Sequence, residues 1–352
     1  MKAGRVAALD GLRACAIVLV VSGHALSGEP PGNFLGVDLF FVLSGFLITT
    51  LLLEEHDRRG RISARGFYGR RCRRLLPALA LLLAVYIVIA ELFRPERVRP
   101  LAEAAVGITY FSNFFLLQGG KGFAASLAHL WSLAAEEQFY ILWPLVIVVL
   151  AARPRSLIAV TLSVIIALIA WQLHYAIEGQ GGGGGLDARF WYAPDTRSTS
   201  PILIGALLAM LCRADFDRVS RVARPLFWPS LIGAAVFVVA IPPYRFGGWY
   251  VIFALACAVL LVRALDGNSR WASLLSRRPA EYTGRISYSL YLYHFPLLWL
   301  VWTWALPWRL GMTVAAFVLA GLSYHLVEQP FLRRGKRAVT VPEPEPTLIN
   351  AH

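Results

Sequence analysis

The sequence predicts an all-α membrane protein, a polytopic bundle of about ten transmembrane helices with one further re-entrant or surface helix. Two observations predict it. The 352 residues are 57% hydrophobic and only 16% charged, whereas soluble domains carry about 25% charged residues. Apolar runs long enough to cross a bilayer also recur from Leu12 to Val327. The predicted spans are 12–28, 34–53, 75–93, 130–150, 156–175, 198–212, 226–241, 249–264, 286–304 and 308–329.

The first two spans are joined by a short turn near Pro30. The first span is interrupted by Asp10 and Arg13 at its start and by His24 near its end. A cleaved signal peptide would have an unbroken apolar centre and no second apolar run directly after it. We therefore interpret this segment as a retained helix.

The third span follows a basic run, FYGRRCRRLLPAL, in which Pro77 starts or kinks the helix. Basic segments between spans normally lie on the cytoplasmic side. All basic clusters fall on one side only if residues 101–117 do not cross alone, but dip in and return or lie along the outer surface. The resulting even number of crossings predicts a multi-pass protein of the cell inner membrane with both termini in the cytoplasm. The clusters are Lys2/Arg5, Arg58 to Arg74, Arg153/Arg155, Arg213 to Arg224, Arg263 to Arg285 and Arg333 to Arg337.

The later spans are separated by short connections, except for the glycine-rich stretch 176–200. Its GGGGG at 181–185 is interpreted as a flexible loop. The end of the chain, TVPEPEPTLINAH, is rich in Pro and Glu, which is typical of disorder. We predict one transmembrane domain over 1–335, a disordered cytoplasmic tail over 336–352, and no appended soluble domain.

Charge and cysteine content argue against other classes of protein. The net charge of +13 comes mainly from arginines between hydrophobic segments, so we expect membrane lipids rather than nucleic acid as partners. The four cysteines, Cys15, Cys72, Cys212 and Cys257, have no metal-ligand spacing. They predict neither a disulfide framework nor a metal site.

Arg13 and His24 are the most informative pair of residues. They are eleven positions apart in an otherwise apolar helix, which separates them by roughly 16 Å and places both on nearly one face. Ionisable groups in a membrane helix normally face a cavity or a partner. Because an imidazole titrates near neutrality, His24 could take a proton from a hydroxyl and return it. The alternative for His24 is a structural hydrogen bond between helices.

The segment LAHLWSLAAEEQFYILWPL places Glu136 and Glu137 inside an apolar helix, with Tyr140 nearby. Adjacent helical residues cannot face the same way, so at least one glutamate is expected to meet the protein interior. A carboxylate there could orient His24 and stabilise its imidazolium form, or bind hydroxyls of a ligand. The structural alternative is a glutamate that reaches outward or pairs with a buried arginine.

The arginines of FYGRRCRRLLPAL are spaced at i and i+3, as Arg70–Arg73 and Arg71–Arg74. Two guanidiniums at this spacing can converge on one helix face. Arginine forks suit phosphates, including a pyrophosphate. Ordinary basic flanking of a span is the alternative.

Two further polar residues lie within apolar spans. Asp38, in GVDLFFVLSGFLITT, could bind a ligand at the outer mouth or serve the structure, whereas Ser44 and Gly45 most simply allow close helix packing. His294, in GRISYSLYLYHFPLL, is a second candidate for a polar lining. The tyrosines of that segment are typical of an aromatic belt.

Together these segments resemble the acyltransferase-3 family of integral membrane O-acyltransferases. The family's arginine–ten residues–histidine motif falls on Arg13 and His24, and its RxxR motif falls best on Arg71 and Arg74. The resemblance covers about residues 6–335.

Two more segments of the family pattern are present. WSLxxEEQFY falls on 131–140, and YSLYLxHxP falls on 288–296, where Tyr293 replaces the more usual Trp. Single pieces are weak, so the resemblance depends on the order and spacing of all of them.

The resemblance implies transfer of an acyl group, commonly acetyl, from cytoplasmic acyl-CoA to a hydroxyl of a carbohydrate or a sugar-bearing small molecule. Acyl-CoA would be the donor substrate, and no permanently bound cofactor is implied. Some members carry an extracytoplasmic SGNH hydrolase-like domain, and this sequence resembles the stand-alone form. The identity of the acceptor, direct or relayed transfer, and assembly into a homo-oligomer are left open.

The resemblance also implies roles for single residues, with His24 as general base, Glu136 in support and the arginines on coenzyme A. The candidates are His24, Glu136 and Arg13 for catalysis; Arg13, Arg70, Arg71 and Arg74 for the donor; and Asp38, Glu137, Tyr140 and His294 for the acceptor.

The main alternative is a transporter or flippase for a sugar or lipid, in which the same polar groups would line a translocation path. Transporters tend to have inverted repeats with broken helices at matching positions, and the sequence shows no such symmetry. A structural partner of an envelope polymer synthase is a third hypothesis.

Overall fold

The computed structural model describes residues 6–26, 30–93, 99–119, 125–178, 192–193, 197–240 and 249–337. Within these ranges the chain is helical and contains no strand, which confirms the predicted all-α class. The predicted glycine-rich loop at 181–185 lies outside them, and so does the predicted tail of 336–352, except for residues 336–337, which end the last helix. The α-helices are α1 Ala7–Ala25, α2 Leu35–Arg59, α3 Ala64–Phe93, α4 Pro100–Ile108, α5 Ser112–Leu117, α6 Leu130–Leu150, α7 Pro154–Glu178, α8 Thr199–Ala214, α9 Phe216–Ala240, α10 Trp249–Leu265, α11 Arg270–Leu275, α12 Arg278–Leu300, α13 Leu306–Ser323 and α14 Gln329–Arg337.

Each of the ten predicted spans falls on one of the long helices. Seven helical segments of the described chain are long and apolar enough to cross a membrane, so the multi-pass prediction is confirmed. Helices α8 and α10 are apolar but shorter, and the total of ten crossings stays a prediction. The outward faces carry exposed aliphatic side chains, such as Val149 and Leu326, as expected for contact with lipid.

The segment predicted to be re-entrant or superficial is divided between two short helices. Helix α4 has nine residues and α5 has six, so neither reaches the length of a spanning helix. They are separated at Tyr110, which has a φ of 58°, in the left-handed region. Residues 101–117 therefore do not form a single straight crossing.

Glycines let two helix pairs at the centre approach to backbone contact. A Cβ at Gly45 would overlap the carbonyl oxygen of Ile202, and a Cβ at Gly284 would overlap that of Asp10. Helix α2 is thereby held against α8, and α1 against α12. This confirms the packing interpretation of Gly45 and brings the polar faces of α1, α2 and α12 toward α3 and α6.

Candidate functional site

A polar cavity lies between helices α1, α2, α3, α6 and α12. It has a volume of about 80 Å³, and a water needs about 10–15 Å³ of such a volume. The cavity can therefore hold a thin chain but not a nucleotide. Its lining residues are Arg13, Val37, Phe40, Phe41, Arg71, Arg74, Leu75, Ser132, Leu133, Glu136, Glu137, Tyr140, Ser287, Tyr288 and Tyr291.

Three guanidiniums converge on this cavity. Arg71 lies over the ring of Tyr140, with its Cζ 3.8 Å from the ring centroid, and its Nη2 lies 3.9 Å from an oxygen of Glu137. Arg13 lies 3.4 Å from Asp10, its neighbour one helical turn away. Arg74 has no carboxylate within 4 Å among the described residues. The cavity thus offers one unpaired cation, which suits an anionic ligand.

Both adjacent glutamates line the cavity, although a helix directs neighbouring side chains about 100° apart. Glu136 accepts a hydrogen bond of 2.5 Å from the Ser44 hydroxyl of α2. Ser44 is therefore a hydrogen-bond donor to the site as well as a small packing residue beside Gly45. Glu136 was predicted to support His24, and in the structure its described partner is Ser44.

His24 is not among the lining residues of the cavity. Because α1 ends at Ala25, His24 lies in its last turn, far along the helix from Arg13. Its ring contacts those of His294, Phe295 and Trp302, with centroid distances of 5.2, 4.8 and 6.5 Å. The side chains around His24 are therefore aromatic rather than charged.

Hydrogen bonds assign the protons of His24 and His294 in their neutral forms. The Nδ1 of His294 lies 2.7 Å from the Tyr291 carbonyl and 3.1 Å from that of Leu290, so it must carry the hydrogen and donate. Its Nε2 is then an acceptor, 3.3 Å from His24 Nδ1. Nδ1 of His24 is also 3.0 Å from the Val20 carbonyl. His24 Nδ1 is therefore protonated, and its Nε2 carries the free lone pair.

A third histidine, His129, joins this group and was not predicted as a site residue. It directly precedes α6 and is 4% exposed. Its ring lies 5.8 Å from that of His294 and 5.1 Å from that of Phe295, between centroids. The sequence signal that could have indicated it is its position, two residues before the WSLAAEEQFY segment. We call His24, His129 and His294 the histidine cluster.

Tyr291 belongs to both the cavity and the surroundings of the histidine cluster. Its hydroxyl donates to the carbonyl of His129 at 2.8 Å and lies 2.5 Å from the Ser132 hydroxyl. Its ring lies 5.5 Å from the rings of His129 and His294. Tyr291 and Ser132 therefore stand where the cavity meets the cluster.

Two further predicted site residues lie outside both the cavity and the histidine cluster. Arg70 is exposed and pairs with Glu55 of α2 at 3.0 Å. Asp38 is fully buried, and both of its carboxylate oxygens accept hydrogen bonds from the buried Arg197, at 2.5 and 3.3 Å. Arg197 also donates to the Phe34 carbonyl at 2.9 Å. The roles assigned to Arg70 and Asp38 stay predictions, and the described contacts of both are with protein groups.

The histidine cluster does not resemble a metal centre. Among the described residues, no group of three or more His, Cys, Asp or Glu side chains is arranged to hold a metal ion.

Comparison with known proteins gives a family match over most of the chain. The model of the acyltransferase-3 family, described as "Acyltransferase domain", matches residues 6–325. The chain is 32% identical to the O-acetyltransferase OatA of Staphylococcus aureus over an alignment of 354 positions that covers 94% of this chain and 58% of that protein. It is 29% identical to the peptidoglycan O-acetyltransferase OatA of Listeria monocytogenes, over 94% of this chain and 56% of that protein.

The chain therefore spans little more than half the length of these curated relatives. No solved structure matches it.

Proposed function

Because this chain belongs to the acyltransferase family, we propose that it is a membrane-embedded, acyl-CoA-dependent O-acyltransferase. It moves an acyl group, most simply acetyl, to a hydroxyl of a carbohydrate or a sugar-bearing molecule. The names of the relatives, an O-acetyltransferase and a peptidoglycan O-acetyltransferase, support an acetyl donor and a glycan acceptor. The family match does not favour the transporter or flippase hypothesis.

One observation carries the proposal: a cavity with three guanidiniums adjoins the histidine cluster, and Tyr291 touches both. The guanidiniums suit the phosphates of a coenzyme. A neutral imidazole with a free lone pair suits proton transfer from a hydroxyl. Acyl transfer from a thioester needs both, and we infer that they act on the two ends of one donor.

The donor enters at the end of the cavity that holds Arg71 and Arg74, which we call the arginine end. Arg71 and Arg74 bind phosphate oxygens at the cavity mouth, and the thin pantetheine arm extends past Arg13 toward Tyr291. A cavity of about 80 Å³ accepts such an arm and keeps the nucleotide outside. We place the arginine end on the cytoplasmic side, where acyl-CoA is made, with both termini on that side.

The chemical step uses Nε2 of His24. It takes the proton of the acceptor hydroxyl while the hydroxyl oxygen attacks the thioester carbonyl carbon. The carbon–sulfur bond then breaks, and the sulfur leaves as the free thiol with the proton that His24 returns. His24 Nδ1–H, facing Val20 and His294, keeps its hydrogen throughout and supports the imidazolium that forms.

Purified protein in detergent with acetyl-CoA and a soluble peptidoglycan oligosaccharide tests the proposal. We expect thiol release that depends on the oligosaccharide, together with an acetyl ester detected on it by mass spectrometry. The His24→Ala variant should lower the rate by about 10²–10⁴-fold, the usual contribution of a positioned base.

The matched control is His56→Ala, at the far end of α2 and outside both the cavity and the cluster. It should transfer at the wild-type rate. Full turnover by His24→Ala would refute the role of His24. Sugar movement across vesicles without any thiol release would refute the acyltransferase and support a transporter.

A further inference from the structure

The orientation of the His129 ring is explained by a proline in the neighbouring helix. Pro296 of α12 has no N–H, so the carbonyl of Leu292, four residues earlier, lacks its usual helical donor. Nε2 of His129 lies 3.2 Å from that carbonyl oxygen. A carbonyl can only accept, so Nε2 must carry the hydrogen. The neutral ring therefore has its lone pair on Nδ1.

That lone pair has no partner among the residues that the structure describes. Nδ1 of His129 is buried and accepts no hydrogen bond from them. An unsatisfied buried acceptor is costly, and each such atom in a native protein calls for an explanation. A hydroxyl donor arriving with a ligand would satisfy it.

His129 and His24 share their surroundings. The rings of both contact His294 and Phe295. The backbone of His129 is fixed by the hydrogen bond from the Tyr291 hydroxyl to its carbonyl. The two rings therefore pack against the same two side chains. Each keeps one free lone pair, on Nε2 of His24 and on Nδ1 of His129.

We propose that His129 is a further acceptor-binding residue, whose Nδ1 accepts a hydrogen bond from a second hydroxyl of the acceptor. This inference rests on the proposed function, because it assigns the partner of the hydroxyl that stands beside the one His24 deprotonates. It specifies the substrate class: an acceptor with two neighbouring hydroxyls, as in a sugar ring. His129 holds the acceptor and takes no part in the proton transfer.

Two substitutions separate this role from a structural one. In His129→Gln the side-chain amide can still donate to the Leu292 carbonyl, but nothing accepts at the position of Nδ1. In His129→Asn the amide oxygen can accept near the position of Nδ1, but the donor to Leu292 is lost. Both are compared with wild type in kcat and in KM for the oligosaccharide and for acetyl-CoA.

We expect His129→Gln to raise the KM for the oligosaccharide by about two- to tenfold, the worth of one hydrogen bond, with the KM for acetyl-CoA unchanged. His129→Asn should keep the acceptor KM within about twofold of wild type and have a lower melting temperature. A wild-type acceptor KM in His129→Gln overturns the proposal. A raised acceptor KM in His129→Asn alone would show that His129 serves only to link the start of α6 to α12.

A measurement on wild-type protein covers the case in which the variants do not fold. The oligosaccharide is compared with a derivative whose neighbouring hydroxyl is O-methylated, which removes the donor. The methylated acceptor should have a KM several-fold higher, and equal use of both overturns the inference even where transfer itself occurs. If no hydroxyl acceptor stimulates thiol release by wild type, the proposed function fails, and this inference fails with it.

Discussion

The two ends of helix α1 hold polar groups in different ways. Around Arg13 the groups are charged, and at least one cation, Arg74, is left without a carboxylate among the described residues. Around His24 the groups are imidazoles, and Nδ1 of both His24 and His294 faces backbone carbonyls. In the proposed function, the first end binds the anionic donor and the second moves a proton. Tyr291, which touches both, marks where the two meet.

Of the two ends of α1, the end near Arg13 is expected to give the larger change in kinetics when it is altered. We predict that Arg74→Gln raises the KM for acetyl-CoA by about tenfold to a hundredfold, since a hydrogen bond to a charged group is worth about 1.5–3 kcal/mol. Its kcat at saturating donor should change little, because the thioester still reaches His24. Steady-state kinetics with varied acetyl-CoA measures both.

A truncated donor identifies what the arginine contacts. Acetyl-pantetheine has the thioester and arm but no phosphates, so wild type and Arg74→Gln should use it equally. Arg65→Gln, exposed on the same helix α3, is the matched control and should behave as wild type with both donors. An Arg74→Gln defect of the same size with both donors would show that Arg74 does not bind phosphate.

A smaller effect is expected at the histidine end. We predict that His294→Leu lowers kcat by about tenfold, because Nδ1–H of His24 loses an acceptor worth about 0.5–1.5 kcal/mol. His294→Gln, whose amide oxygen can accept that hydrogen, should recover part of the rate. Both KM values should stay unchanged.

Two other outcomes at His294 would point to different roles for this residue. A raised acceptor KM in His294→Leu with an unchanged kcat would instead support the sequence-based prediction that His294 binds the acceptor. Equal defects in His294→Leu and His294→Gln would show that the hydrogen bond to His24 is not what matters.

That Arg71 and Arg74 share one helix face could be predicted from the sequence because it depends on local periodicity. Residues three apart share a helix face, and motif order then relates the helices. The choice of Arg71 and Arg74 over Arg70 agrees with the residues that line the cavity. The helical segments were predictable for the same reason, since each is defined by one continuous apolar run.

Contacts between distant helices were not predictable. Asp38 and Arg197 are 159 positions apart, and nothing in the local sequence of either indicates the other. In a membrane protein both lipid-facing and buried faces are apolar, so hydrophobic periodicity does not reveal how a helix is rotated. For the same reason, the hydrogen bond from Ser44 to Glu136 and the packing of His129 against His294 could not be predicted.

The smallest effect on catalysis is expected at the buried pair of Asp38 and Arg197, which lies away from the cavity. We predict that Asp38→Asn destabilises the protein by about 3–5 kcal/mol, because it leaves a buried guanidinium without its carboxylate. The double variant Asp38→Asn with Arg197→Gln should be more stable than Asp38→Asn, since it also removes the buried guanidinium that has lost its bonds to Asp38. Thermal unfolding in detergent measures both. The acceptor KM of the folded fraction should stay within about twofold of wild type, a change smaller than the loss of one hydrogen bond. A raised acceptor KM at an unchanged melting temperature would show instead that Asp38 binds the acceptor, as its position near the start of the second span first suggested.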